Sequence, residues 1–193
     1  EIKNIAEILL SGIAIPDVSF NQFELDALIE NNNFIVNSLT LEDKEAILET
    51  SGSMNLDNSL DRNFNLKLLN FKKSEISNFY PQLSETINLI PGNVINFEGF
   101  LAGSDLEITN FIIQKENQPT LIIAGDIDLQ NLNESFLNVK VDNMTSSDVE
   151  ILLTKFEQGK YKNYLGVYSY DKITGNIFFD FKNKTIVIDK IDA

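Results

Sequence analysis

The chain contains neither cysteine nor histidine. Without them there is no Cys or His zinc site, no disulfide, no Ser-His or Cys-His nucleophile and no histidine general base. Most enzyme classes lose their usual parts. Cations are also scarce: 15 Lys and Arg face 29 Asp and Glu, a net charge of −14, and Arg62 is the single arginine. Affinity for a phosphate backbone is built from clustered cations, so no nucleic-acid partner is expected. The 9 glycines are scattered and form no phosphate-cradling loop. Long apolar runs are missing too. The longest near the start, Ile8 to Ile15, is interrupted by Ser11 and Gly12, and reads neither as a membrane span nor as a signal peptide. The lack of cysteine leaves the compartment open.

The 193 residues are 43% apolar, enough for a sizeable core. Most of that apolar content alternates with period two, as in strands with one buried and one wet face. Leu121, Ile123, Gly125, Ile127 and Leu129 share one side, with Asp126 and Asp128 on the other. Phe64, Leu66 and Leu68 alternate in the same way, as do Ile95, Phe97, Gly99 and Leu101. So do Leu137, Val139 and Val141, and the run Ile173 to Phe181. Turn chemistry separates the runs at Asn31-Asn32-Asn33, Asp57-Asn58-Ser59, Gly103-Ser104-Asp105, Glu116-Asn117-Gln118-Pro119 and Asn131-Leu132-Asn133. The pattern predicts a mainly β chain, a meander of antiparallel strands. Helical pattern is confined to Ile2 to Leu9, to Ser74 through Phe79, and to a stretch opened by a Ser147/Glu150 capping box, with Val149, Leu152, Leu153 and Phe156 as its stripe.

The chain also resembles itself. Residues 47–76 align without a gap on 120–149, with eight of thirty positions identical where about two are expected by chance. The identities are Leu48/Leu121, Gly52/Gly125, Leu56/Leu129, Asn58/Asn131, Asn65/Asn138, Lys67/Lys140, Asn70/Asn143 and Ser74/Ser147. Upstream, Asn37 falls over Asn110 and Leu39 over Ile112; a third copy is expected to begin with Ile173-Thr174-Gly175 over Phe97-Glu98-Gly99. The expected organisation is a fragment of a longer β-repeat array, with approximate repeats at 20–92, 93–165 and an incomplete one at 166–193.

Three patterns carry a family resemblance: a small residue and Gly before an alternating strand (Thr50 to Leu56, Ile123 to Leu129); a strand running into a helix start (Phe64 to Leu68 then Ser74, Leu137 to Val141 then Ser147); and a Gly-containing strand after a helix and loop (Asn96 to Phe100, Ile173 to Ile177). In these the chain resembles the TamB and AsmA-like bacterial envelope proteins, and around Phe34 to Leu66 it also looks like the type II secretion protein N. The resemblance implies an elongated, curved antiparallel sheet folded over into an apolar groove (a β-taco), with short helices at repeat junctions. It further implies a periplasmic setting, an inner-membrane anchor outside this segment, phospholipid movement or help with outer-membrane protein assembly, and a BamA-like barrel partner.

The candidate groove residues are Phe64, Leu66, Leu68, Phe97, Leu101, Leu121, Ile123, Ile127, Leu129, Leu137, Val139, Val141, Ile177 and Phe179. They read equally as the wall of a lipid groove or as the sealed core of a structural or adhesive stalk. The groove reading has a physical basis: each methylene taken from water contributes about 0.8 kcal/mol, so an acyl chain of about sixteen carbons gains on the order of 10 kcal/mol gross. No catalytic residue, metal or cofactor is expected. Asp126, Asp128, Asn131 and Glu134 depart from a calcium loop because Ile127 and Leu129 interrupt them and no Gly takes the sixth position.

Overall fold

The computed structural model describes residues 21–74, 91–148 and 172–192. Ten strands fill almost all of them: β1 (Gln22–Glu30), β2 (Asn33–Asp43), β3 (Ala46–Asn55), β4 (Arg62–Lys72), β5 (Val94–Ala102), β6 (Asp105–Lys115), β7 (Gln118–Asp128), β8 (Phe136–Met144), β9 (Ile173–Asp180) and β10 (Thr185–Asp192). A single 3-10 turn, Leu132–Glu134, lies between β7 and β8. The strands form one sheet in the order β1 to β10, each paired antiparallel with the next. This is the expected meander. At about 4.8 Å per strand spacing, the sheet is roughly 43 Å wide measured along its surface.

The turns explain why the strands pair with their sequence neighbours. Asn31 and Asn32 both take positive φ (48° and 63°), as do Glu116 and Asn117 (53° and 61°). Positive φ at both central residues of a two-residue turn matches the twist of the flanking strands, and Asn tolerates it best. The two longer loops at the same end of the sheet share one hydrogen-bond plan. Asn55 Oδ1 accepts from the N–H groups of Asp57 (2.9 Å) and Asn58 (3.1 Å), and Asp128 Oδ1 accepts from those of Gln130 (2.8 Å) and Asn131 (2.9 Å). The carbonyls of Asn58 and Asn131 then accept from Asp61 and Glu134, both at 2.9 Å.

Irregularities in the ladder recur as well. In β2 the register steps from Val36 to Ser38, in β6 from Ile108 to Asn110, and in β10 from Ile188 to Lys190. Each step leaves one residue unpaired with the preceding strand, which is a β-bulge. In β4 and β8 the bulges hold Asn70 and Asn143, both left-handed (φ 56° and 53°). Gly52 and Gly125 also share a positive φ (153° and 145°), and a Cβ on them would lie 2.0 Å from the Asn63 carbonyl oxygen and 2.3 Å from that of Phe136.

The registers correct three details of the sequence reading. By position in the ladder Leu39, opposite Thr50, matches Phe111, opposite Ile123, and the unpaired Asn37 matches the unpaired Thr109, in place of Ile112 and Asn110; the spacing is 72 up to Thr120, an unpaired residue in β7, and 73 after it. Gly175 stands where Phe97 does, opposite Val141 as Phe97 is opposite Leu68, two residues from the expected match with Gly99. The capping box is made by Thr145 and Asp148: Thr145 N–H donates to Asp148 Oδ2 at 3.0 Å, and Asp148 N–H donates to Thr145 Oγ1 at 3.3 Å. Glu150 and the expected stripe Val149, Leu152, Leu153 and Phe156 lie outside the described residues, as do the Ile2 to Leu9 segment and Glu75 to Phe79.

Candidate functional site: one apolar sheet face

Residues directly opposite in an antiparallel ladder put their side chains on the same face. Followed from strand to strand, one row runs Phe23, Leu41, Leu48, Leu68, Phe97, Phe111, Ile123, Val139, Ile177, Ile188, one residue from each of the ten strands and every one apolar. The row beside it holds Leu66, Ile108, Leu137, Phe179 and Ile186, and the next holds Phe64, Leu101, Leu106 and Ile127. On the other side of the long row lie Phe71, Ile95, Ile113, Leu121 and Val141. Thirteen of the fourteen candidate residues therefore share one face. The exception is Leu129, which follows the last residue of β7 and is 51% exposed in the loop.

Burial along this face is uneven. Ile113 and Met144, at the end carrying the connections after β4 and β8, are 0% and 1% exposed, and Phe71 and Ile95 beside them are buried. Across the middle most residues are half-buried. Phe97 and Phe111 meet edge to face with centroids 6.3 Å apart, the arrangement favoured by ring quadrupoles. Sequence reasoning missed Phe111, Leu106, Ile108 and Ile188, because the bulges switch β6 and β10 from even to odd apolar positions and hide the alternation.

The opposite face is mixed: Ile35, Ile47, Phe100, Ile112, Ile122, Phe136 and Phe178 stand on it among polar and charged residues. Thr40, Glu49, Lys67 and Glu98 stand in one row across β2 to β5. Lys67 Nζ donates to Glu49 Oε2 at 2.7 Å. That hydrogen bond and the negative charge of Glu49 raise the lysine above its ordinary pKa. A cavity of about 440 Å³ opens here, lined by Ser38, Thr40, Glu49, Ser51, Lys67 and Phe100 among others. Farther along, Asp105 stands opposite Asp128 and Glu107 opposite Asp126, two like-charged pairs that oppose the β6/β7 contact. Asp128 is engaged in its own turn, and no group of three or more acidic side chains among the described residues is placed to hold a metal ion.

Among the described residues no helix is long and apolar enough to cross a membrane. No family model, curated protein or solved structure matches this chain.

Proposed function

We propose that this chain is a non-enzymatic, repeat-built segment of a bacterial envelope protein whose apolar sheet face carries or shields phospholipid acyl chains. The observation that carries the reading is the uninterrupted apolar row across ten strands. A face of this extent has to be covered by protein or by ligand, because contiguous exposed apolar patches beyond a few hundred Å² are uncommon. Acyl chains suit it, since the face offers a continuous apolar path with no polar side chain in that row. The repeated unit in this proposal is four strands and a long connection, supported by the matching bulges, glycines and loops of β1–β4 and β5–β8. The periplasmic setting, the inner-membrane anchor and a BamA-like partner enter through the resemblance to TamB, as does the related role of assisting outer-membrane protein assembly; a type II secretion role enters through the other likeness.

One observation favours a second reading. Phe71, Ile95, Ile113 and Met144 are closed off at one end of the face, as all of it would be in a structural stalk. A photo-crosslinking residue at Ile127 or Val139 separates the two, with Lys140, on the other face, as control. Lipid adducts at the first two positions and not at Lys140, with phospholipid in an organic extract of the purified protein, are the expected result. Protein-only adducts and a lipid-free extract would establish the stalk.

A further inference from the structure

The cavity on the mixed face is built from two neighbouring rows of the ladder. Thr40, Glu49, Lys67 and Glu98 form one, and Ser51, Asn65 and Phe100 the other. At its flanks stand Asn37 and Thr109, the bulge residues of β2 and β6. A bulge bends its strand, and the sheet between these two is concave toward this face. Much hydrogen-bonding capacity here is unused. Among the described residues, the side chains of Ser38, Thr40, Ser51 and Glu98 make no hydrogen bond, and Lys67 gives one ammonium proton to Glu49 and keeps the rest. The strands themselves do not require this set. The same ladder positions one unit further on hold Ile112, Ile122, Lys140 and Asn176 in the first row and Ala124, Asn138 and Phe178 in the second. The fold thus accepts Ile, Ile, Ala and Asn where the cavity has Thr40, Glu49, Ser51 and Glu98.

We propose that this concavity is a binding site for a neutral mono- or disaccharide. Charge decides the ligand class. Glu49 and Glu98 stand on either side of Lys67 in the row, so the carboxylates oppose an anion and the ammonium opposes a cation, while an uncharged ligand meets neither penalty. Sugar hydroxyls both donate and accept. They suit a wall that combines an acceptor (Glu98), a donor (Lys67) and groups that do both (the Thr40 and Ser51 hydroxyls and the Asn65 amide). Bonds to the ionised members are the stronger ones. Phe100, half-buried in the second row, offers an apolar ring face against which the C–H face of a sugar can lie. The volume of about 440 Å³ falls within the range of about 300–1,000 Å³ usual for small-molecule sites. The site is on the other face from the apolar row, so it stands or falls separately from acyl-chain carriage.

The test titrates the isotope-labelled full chain with maltose, cellobiose, lactose and N,N′-diacetylchitobiose, and separately with spermidine and citrate as cationic and anionic probes, reading amide shifts by NMR. Saturable shifts at Thr40, Ser51, Lys67 and Glu98 with at least one of the sugars, and with neither ion, are the expected result. The double variant Ser51→Ala/Glu98→Asn carries the residues found at Ala124 and Asn176, and is expected to keep the parent's unfolding midpoint. It should bind that sugar about tenfold more weakly, as loss of a hydrogen bond to a charged group predicts. Phe100→Leu, which removes the ring and keeps an apolar side chain, should weaken binding too and does not depend on the first variant. The absence of saturable shifts with all the sugars would overturn the proposal, as would binding left unchanged by either variant. Tighter binding of spermidine or citrate would overturn the neutral ligand class. Shifts confined to Ile112, Ile122 and Lys140 would place the sugar on the second unit and equally overturn it.

Discussion

Asp148 joins several links at once. Its side chain is nearly enclosed, its carboxylate receives Thr145 N–H and Oγ1 (3.0 and 2.7 Å), and Lys115 Nζ reaches both oxygens (2.9 and 3.1 Å). Burial alone would push its pKa up, but the hydrogen bonds from Thr145 and Lys115 and the lysine's charge outweigh it and hold the carboxyl below its ordinary value. A depressed carboxyl stabilises the fold above the unfolded pKa of about 3.9 and loses that contribution as pH falls through the folded value. Asp148→Asn is therefore expected to be about 1–2 kcal/mol less stable than the parent at pH 7, with the gap closing below about pH 4; urea unfolding at a series of pH values measures this. Gly125 is constrained by its backbone. Its φ of 145° and the 2.3 Å approach of a built Cβ to the Phe136 carbonyl predict a loss of about 1–3 kcal/mol for Gly125→Ala, measured the same way. Ile113, with no exposed surface, is expected to cost about 2–5 kcal/mol on truncation to Ala.

At the scale of the strand, alternation is legible wherever one phase holds from end to end. Phe64 to Leu68, Leu121 to Ile127 and Leu137 to Val141 keep it, and their residues fall together on the apolar face. Strands β2, β6 and β10 change phase at the bulge: Phe34 and Val36 are followed by Leu39 and Leu41, and Leu106 and Ile108 by Phe111 and Ile113. An unpaired residue turns the chain over, so both halves face the same way while the letters fall out of step. Turns rich in Asn and Gly announce themselves, but Lys44-Glu45 carries no such residue, and its left-handed Lys44 (φ 54°) is visible only in the structure. The sharing of one face by thirteen candidates was thus readable from periodicity, while the residues that join them into an unbroken row were not. The acidic pairs between β6 and β7 yield a prediction of their own. Asp126→Asn removes one carboxylate from opposite Glu107 and is expected to raise stability by about 0.2–1 kcal/mol at low ionic strength, with the gain shrinking in high salt. Denaturant midpoints with and without 1 M salt, about one 3 Å screening length, decide it.

At the largest scale the governing fact is that, among the described residues, each strand pairs only with its sequence neighbours. Stability in such a sheet is a sum of neighbour terms, so opening starts where a strand has one partner. Native-state hydrogen exchange is expected to show β1 and β10 opening at low free energy and β5 to β7 last, as a gradient. Equal protection across all ten strands would mean that something besides the ladder holds the sheet together.

The absence of any crossover among the described strands also bears on how the chain would tolerate loss of an internal segment. Excision of residues 73–145 would bring β4 beside β9, and β4 already ends as β8 does, with a left-handed Asn in its bulge and the same offset to the next strand: Leu68 to Phe97 and Phe71 to Ile95 in one case, Val141 to Gly175 and Met144 to Ile173 in the other. Within the described ladder the new neighbours would meet at the offset that each already shows. A deletion of this length is expected to shorten the sheet by four strands, β5 to β8, and to leave the ladder on either side in register.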